Sequence, residues 1–237
     1  MKQLAKAWHD VPPLAHEGYL ELLDETPAVM DALWALEPEA QAVIRRHLRR
    51  TIQGMARYAR RVGRGQHLEL ETLEELSDYC YIVAGIVGEM LTELFVLDHE
   101  ALGSIDAYLA ERARCFGEGL QLTNILKDAE GDATEGRRYL PASVGRDRVF
   151  ELARADLERA EEYVHAVQRA GAPVGVIAFN ALPVILAWET LDRVQEAGPG
   201  AKLDRMEVAT LMQAMDEALE RGAPVVQAAR AASVRER

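Results

Sequence analysis

Gln121, Asn124, Asp128 and Asp132 recur at intervals of three and four residues within "GLQLTNILKDAEGD", Gly119 to Asp132. On an α-helix that spacing draws one slowly drifting stripe, so all four side chains can reach the same hollow. Two carboxylates and a side-chain amide are hard oxygen donors suited to Mg²⁺, an ion that keeps waters and shares its sphere with substrate phosphates. Lys127, Arg137 and Arg138 lie close enough in sequence to neutralise such a phosphate, the guanidiniums as planar forks and the ammonium as a point charge. The pattern points to a diphosphate site. The plainer alternative is a solvated face, because acids one turn apart often mark one. Leu120, Leu122, Ile125 and Leu126 on the other sides require burial, which favours a helix wrapped by protein on more than one face.

A second stretch, "DYCYIVAGIVGEML" (Asp78 to Leu91), places Ala84, Gly85 and Gly88 inside an otherwise good helix. Each interior glycine costs about 1 kcal/mol relative to alanine, so something must approach closely there. A neighbouring helix would do, and so would a long apolar ligand lying in a groove. Tyr79 and Tyr81 flank the patch and can set hydroxyls beside the hollow, or serve as core tyrosines with one hydrogen-bond partner each. Glu89 and Glu93, one turn apart, read as a salt-bridged or solvated face or as support for the same hollow.

These residues need helices to position them, and the chain supplies little else. Ala, Leu, Glu and Arg dominate, apolar residues recur at three and four, and no window alternates for long with period two. The fold class is all-α, one domain of long packed helices over residues 1–237. Pro12-Pro13 marks an early loop, and short helices in "HEGYLELLD" and "AVMDALWAL" break near Thr26-Pro27. "EPEAQAVIRRHLRRTIQGMARYARR" makes one long amphipathic helix, interrupted from Val62 to Gly65. Another opens at Thr72, where Glu75 completes a capping-box pattern, and runs to about Phe95. Further helices are expected at about Ala101–Ala129, Arg146–Ala170, Val174–Glu196 and Arg205–Ala231, with kinks at Pro183 and Pro224.

Bulk properties bound the function. A net charge of -12 argues against nucleic-acid binding, which needs concentrated Lys and Arg on one face. Cys80 and Cys115 sit in apolar helical stretches and read as unpaired thiols in a reducing compartment. No stretch reaches about 18 uninterrupted apolar residues and the N-terminus lacks a signal-peptide core, so the expected location is the cytoplasm with at most peripheral membrane contact. "RRHLRR" (Arg45 to Arg50) is a basic island in an acidic chain, either a solvated helix face or a weak attraction to anionic membranes. The six histidines form no metal-binding pair, which leaves a zinc hydrolase unsupported.

Together the two motifs resemble the squalene and phytoene synthase family, the head-to-head prenyl transferases. The family's Y-C-x-x-V-A-G-x-V-G helix is matched by "YCYIVAGIVG" (Tyr79 to Gly88), and its G-x-x-L-Q-x-x-N-I-x-[RK]-D-x-x-x-D helix by "GEGLQLTNILKDAEGD" (Gly117 to Asp132). "GRRYLP" (Gly136 to Pro141) and "GMARY" (Gly54 to Tyr58) extend the likeness. The resemblance implies the isoprenoid synthase fold, a bundle of long helices around a central cavity. It implies a Mg²⁺-dependent transferase of isoprenoid or carotenoid biosynthesis that joins two farnesyl or geranylgeranyl diphosphates through a cyclopropyl diphosphate. Asn124, Asp128 and Asp132 then look like the second metal motif, and Gln121, Lys127, Arg137 and Tyr139 like diphosphate contacts. Tyr79 looks like the tyrosine that assists proton removal or orients the leaving group, and Ala84, Gly85 and Gly88 like the lining of the prenyl tunnel. NADPH stays open, since this family uses no Rossmann fingerprint.

One departure shapes the expectation. The family's first D-x-x-x-D cluster has no counterpart among Asp10, Asp24 with Glu25, and Asp31. The chain is therefore expected to begin after the first metal site: as a truncated frame, as a short form working with a separate subunit, or as a non-catalytic member that binds prenyl lipids or assists assembly.

Overall fold

A computed structural model describes residues 2–11, 16–62 and 67–236. The Pro12-Pro13 loop and all but Val62 of the expected Val62–Gly65 interruption lie outside the described residues. The structure divides into two compact units, residues 1–46 and 47–237.

The first unit carries α1 (Lys2–Asp10), α2 (Glu17–Ala35) and the beginning of α3 (Pro38–Arg61). His16 caps α2, accepting from the Gly18 N–H, and His9 Nε2 lies 3.2 Å from Asp24 Oδ1. Pro27 sits inside a continuous α2 where a break was expected. The helix has no buried residues, so the carbonyl that Pro27 leaves unpaired can turn to water.

In the second unit, after the rest of α3, come β1 (Leu68–Glu69), α4 (Leu73–Cys80), a π-helical turn (Tyr81–Gly85), α5 (Ile86–Asp98), the short α6 (Glu100–Gly103) and α7 (Asp106–Thr134). Then follow β2 (Arg137–Arg138), α8 (Arg146–Arg169), α9 (Val174–Ala197), α10 (Arg205–Glu220) and α11 (Val225–Glu236). Thr72 caps α4 as expected, its hydroxyl accepting from Glu75 N–H at 3.2 Å. The reciprocal arm lands one residue early, with Glu75 Oε2 accepting from Glu71 N–H at 2.8 Å. The expected single helix after Arg205 breaks rather than kinks: Gly222 takes φ +64 and ends α10, and Pro224 precedes α11.

Helix α7 runs through the middle of this unit. Leu109, Leu122, Ile125 and Leu126 are fully or almost fully buried, as are Leu157 and Tyr163 of α8 and Ile185 and Leu191 of α9. Each such side chain contributes about 1.5–3 kcal/mol by leaving water. Helix α9 and the continuous run Leu73–Asp98 are long and apolar enough to cross a membrane by length and composition, but half of the α9 window is buried in the fold, as a core helix would be.

The glycine patch explains how α7 is set. Built as an alanine, Gly88 would drive its methyl into the Ala113 carbonyl, and Gly117 would drive one into the Ala84 carbonyl. The backbones of α5, the π-turn and α7 therefore meet directly. Gly117→Ala should lower the unfolding free energy by about 1–3 kcal/mol in urea denaturation. Gly131→Ala on the same helix meets open space and should be neutral or stabilising.

Candidate functional site

Because α7 extends to Thr134, past the expected end near Ala129, Asp132 stays in helical register with Asn124 and Asp128. The stripe lines one groove of about 480 Å³ together with Gln121, Ile125, Arg137 and Tyr139. It is a groove rather than the enclosed hollow the sequence suggests. Asn124 is exposed and the Asp128 side chain is about half exposed, whereas Asp132 retains 19%.

Charges alternate along the groove. Lys127 Nζ lies 3.2 Å from Asp128 Oδ2 and donates to Asn124 Oδ1 at 3.3 Å. Arg137 donates to Asp132 at 3.1 Å and to Glu135, and these two partners raise its guanidinium further above its ordinary value. Arg138 turns away, into a neighbouring hollow of about 190 Å³ lined by Ile125, Ala129, Ala133, Tyr139 and Leu140.

The turn bearing Arg137 and Tyr139 is held from a distance. Gly136, at φ +78, approaches His67 so closely that no side chain fits. Strand β2 then pairs in parallel with β1, Leu68 opposite Arg137 and Glu69 opposite Arg138. Tyr139 thereby lands on Tyr79, ring centroids 4.9 Å apart, with the Tyr79 hydroxyl donating to the Tyr139 hydroxyl at 3.2 Å. Tyr58 meets the other side of Tyr79 edge-on at 5.2 Å, its own hydroxyl donating to Asp78 at 2.9 Å. Burial above all, then the bond to Tyr139, raises the Tyr79 phenol well above its ordinary range. Sequence reasoning passed over Tyr58 except inside the quoted "GMARY", and the two-residue ladder carries no periodic signal.

Other expected residues go elsewhere. Tyr81 does not face this groove: its ring lies over Gly85 between the guanidiniums of Arg114 and Arg50, and its hydroxyl meets Arg50 and Glu89. Glu89 pairs with Arg50 at 2.7 Å and Glu93 with the buried His47 at 2.8 Å, the salt-bridged reading of those acids. At Ala84, Gly85 and Gly88 the neighbouring-helix alternative is realised, since α7 packs against that face.

A metal would find hard oxygen donors here. Among the described residues no cluster of three His, Cys, Asp or Glu is placed to hold an ion. Two carboxylates and an amide oxygen on one helix fit Mg²⁺ that completes its sphere with water and phosphate oxygens, not an all-protein cage.

Elsewhere on α7 and α8, two acids are buried without full compensation. Glu118 of α7 accepts from Arg114 Nε at 2.7 Å, and Asp156 of α8 lies against the α7 backbone at Gly119. Burial pushes Glu118 up to about 7 and Asp156 up to about 6. The same burial raises the Cys115 thiol to about 12, so both it and the fully buried, unpaired Cys80 stay protonated.

The sign of the linkage follows. As pH rises, the unfolded chain ionises these carboxyls near 4.5 and 3.8, while the folded chain holds their protons to about 7 and 6. Stability is fully present below the lower values and is lost as pH rises through the upper ones. The melting temperature should therefore fall between about pH 4.5 and pH 7 through these groups, and Glu118→Gln should flatten that fall.

Comparisons with known proteins bear on family and fold. A family model described as squalene/phytoene synthase matches residues 2–147. The chain is 35% identical over 127 residues to "Squalene synthase ERG9" of Gibberella zeae, covering 52% of this chain and 26% of that protein. It is 33% identical over 133 residues to "15-cis-phytoene synthase" of Enterobacter agglomerans, covering 50% and 40%. The chain thus spans well under half the length of these relatives. A solved structure of TcSQS with the ligand BPH1237 shares the fold, with a TM-score of 0.65 at 21% identity over all of this chain and 82% of that one.

Proposed function

The chain belongs to the squalene/phytoene synthase family, and from that premise we propose that it binds prenyl diphosphates along α7 and acts as a prenyl transferase joining two of them head to head. The observation that carries this reading is the convergence of Gln121, Asn124, Asp128, Asp132, Arg137 and Tyr139 on one groove. Asn124, Asp128 and Asp132 would hold Mg²⁺ there, and the ion when bound supplies positive charge to a departing diphosphate.

The chain's own residues divide the remaining work. Arg137 contacts the diphosphate oxygens as a fork and Lys127 as a point charge, each already beside an acid of the stripe. Tyr139 accepts its hydrogen bond from Tyr79 and so keeps its own proton for the groove. Tyr79, held protonated, orients that pair rather than taking up a proton near neutral pH. Loss of the diphosphate, with the electron pair of its C–O bond, leaves an allylic cation. The second substrate's double bond captures the cation, and transfer of a proton to the released diphosphate closes the cyclopropane of the cyclopropyl diphosphate. Ile125 supplies apolar wall on this side, where exclusion of water protects the cation.

Calorimetric titration with farnesyl diphosphate or geranylgeranyl diphosphate, with and without Mg²⁺, tests the reading. Binding should require the ion, and Asp128→Asn or Arg137→Gln should each weaken it about tenfold, the loss of one charge-assisted contact. Unchanged affinity in both variants would remove the groove from the function.

A further inference from the structure

Arg138 stands beside the groove, but the groove's charges do not use it. Lys127 pairs with Asp128, and Arg137 with Asp132 and Glu135. Arg138 is exposed, and among the described residues no carboxylate comes within ion-pair range of it, Glu69 opposite it in the ladder included. Its backbone is nonetheless fixed, with the Leu70 N–H donating to the Arg138 carbonyl at 3.0 Å.

The residue borders the hollow of about 190 Å³ instead. Ile125, Ala129 and Ala133 floor it, each one residue beyond Asn124, Asp128 and Asp132, and so about 100° round α7 from the polar stripe. Tyr139 and Leu140 complete the lining. No carboxylate takes part, in contrast to the groove, so the hollow has no hard charged donor for a metal ion. It presents an anion with an unpaired fork of N–H donors beside apolar walls. The space equals that of about six waters and lies below the roughly 300–1,000 Å³ of sites that enclose drug-sized ligands. A long prenyl chain does not fit there; a short branched one does.

We propose that the Arg138 hollow is a second, metal-independent site for a small organic phosphate, its head on the guanidinium and a branched hydrocarbon of about five carbons against Ile125, Ala129, Ala133 and Leu140. Both halves of the ligand are needed. One exposed guanidinium holds a bare phosphate weakly, because water and salt compete for it. The apolar floor by itself supplies no direction. In a chain of net charge -12 anions are repelled in general, so retention of one requires a local cation, and Arg138 is the cation of this turn left without a partner. The site lies beside the groove and does not depend on the transferase reading.

Calorimetric titration of the full chain with dimethylallyl monophosphate, in EDTA and without any longer prenyl diphosphate, tests the site. Binding is expected, and inorganic phosphate should bind at least about tenfold more weakly because it lacks the hydrocarbon. Arg138→Gln should weaken the organic phosphate about tenfold, the loss of one charge-assisted contact. Ala129→Leu should fill the floor and weaken it by as much with the charge still in place, whereas Arg221→Gln on α10, paired with Glu217, should leave it unchanged. Circular dichroism of each variant checks the fold. No binding of dimethylallyl monophosphate, equal affinity for inorganic phosphate, or unchanged affinity in Arg138→Gln or Ala129→Leu overturns the proposal. So does a larger loss with Arg137→Gln than with Arg138→Gln, which would place the phosphate in the groove.

Discussion

Two helix backbones touch where Gly88 faces Ala113 and Gly117 faces Ala84, and that contact fixes the position of everything the groove contains. Side-chain packing tolerates small slips, because rotamers can adjust. A carbonyl pressed where a methyl would stand does not tolerate one. The wide turn from Tyr81 to Gly85 belongs to the same constraint. It admits one more residue than an α-turn, so the helix beyond is rotated relative to an uninterrupted continuation, and it lays Tyr81 over Gly85. With α7 seated at this height, its polar stripe and the Tyr79 ring lie on the two sides of Tyr139.

The groove is therefore a charged edge on an apolar support. Acids and bases alternate along it at close to 3 Å, leaving no carboxylate of the stripe without a cation beside it. Such pairs are worth little as stability when exposed. Their value is that an incoming anion and a divalent ion find both kinds of charge already in place. Beneath them the three tyrosines form a cluster, Tyr58 edge-on to Tyr79, in which the one hydrogen bond between phenols runs from Tyr79 to Tyr139, so the phenol nearest the groove is the one left free to donate outward. The buried Glu118 and Asp156 pull against this order, since burial disfavours the charge that they take on above about pH 7 and pH 6.

Most of this was legible where the signal is periodic. Gln121, Asn124, Asp128 and Asp132 announce themselves by spacing, and so do the long helices, because a helix repeats and a repeat can be counted. What a helix meets is not periodic. Ala84, Gly85 and Gly88 reveal that something comes close without revealing what, and only the fold shows that α7 is the neighbour. Tyr79 and Tyr81 look equivalent in sequence, yet one enters the aromatic stack and the other is clamped between two arginines. Pro27 carries a strong breaking signal that an exposed helix overrides. The ladder between Leu68–Glu69 and Arg137–Arg138 is too short to leave any pattern at all.

That ladder also sets an order of events as the chain folds. Helices α4 to α7 can form and pair through contacts close along the chain, whereas the short parallel pairing must first close a loop containing all of them, at an entropic cost that delays it. The stripe on α7 can thus exist, with Arg137 only five residues beyond Asp132, before Tyr139 reaches Tyr79. A bundle lacking the ladder would hold the charges of the groove without its tyrosine wall.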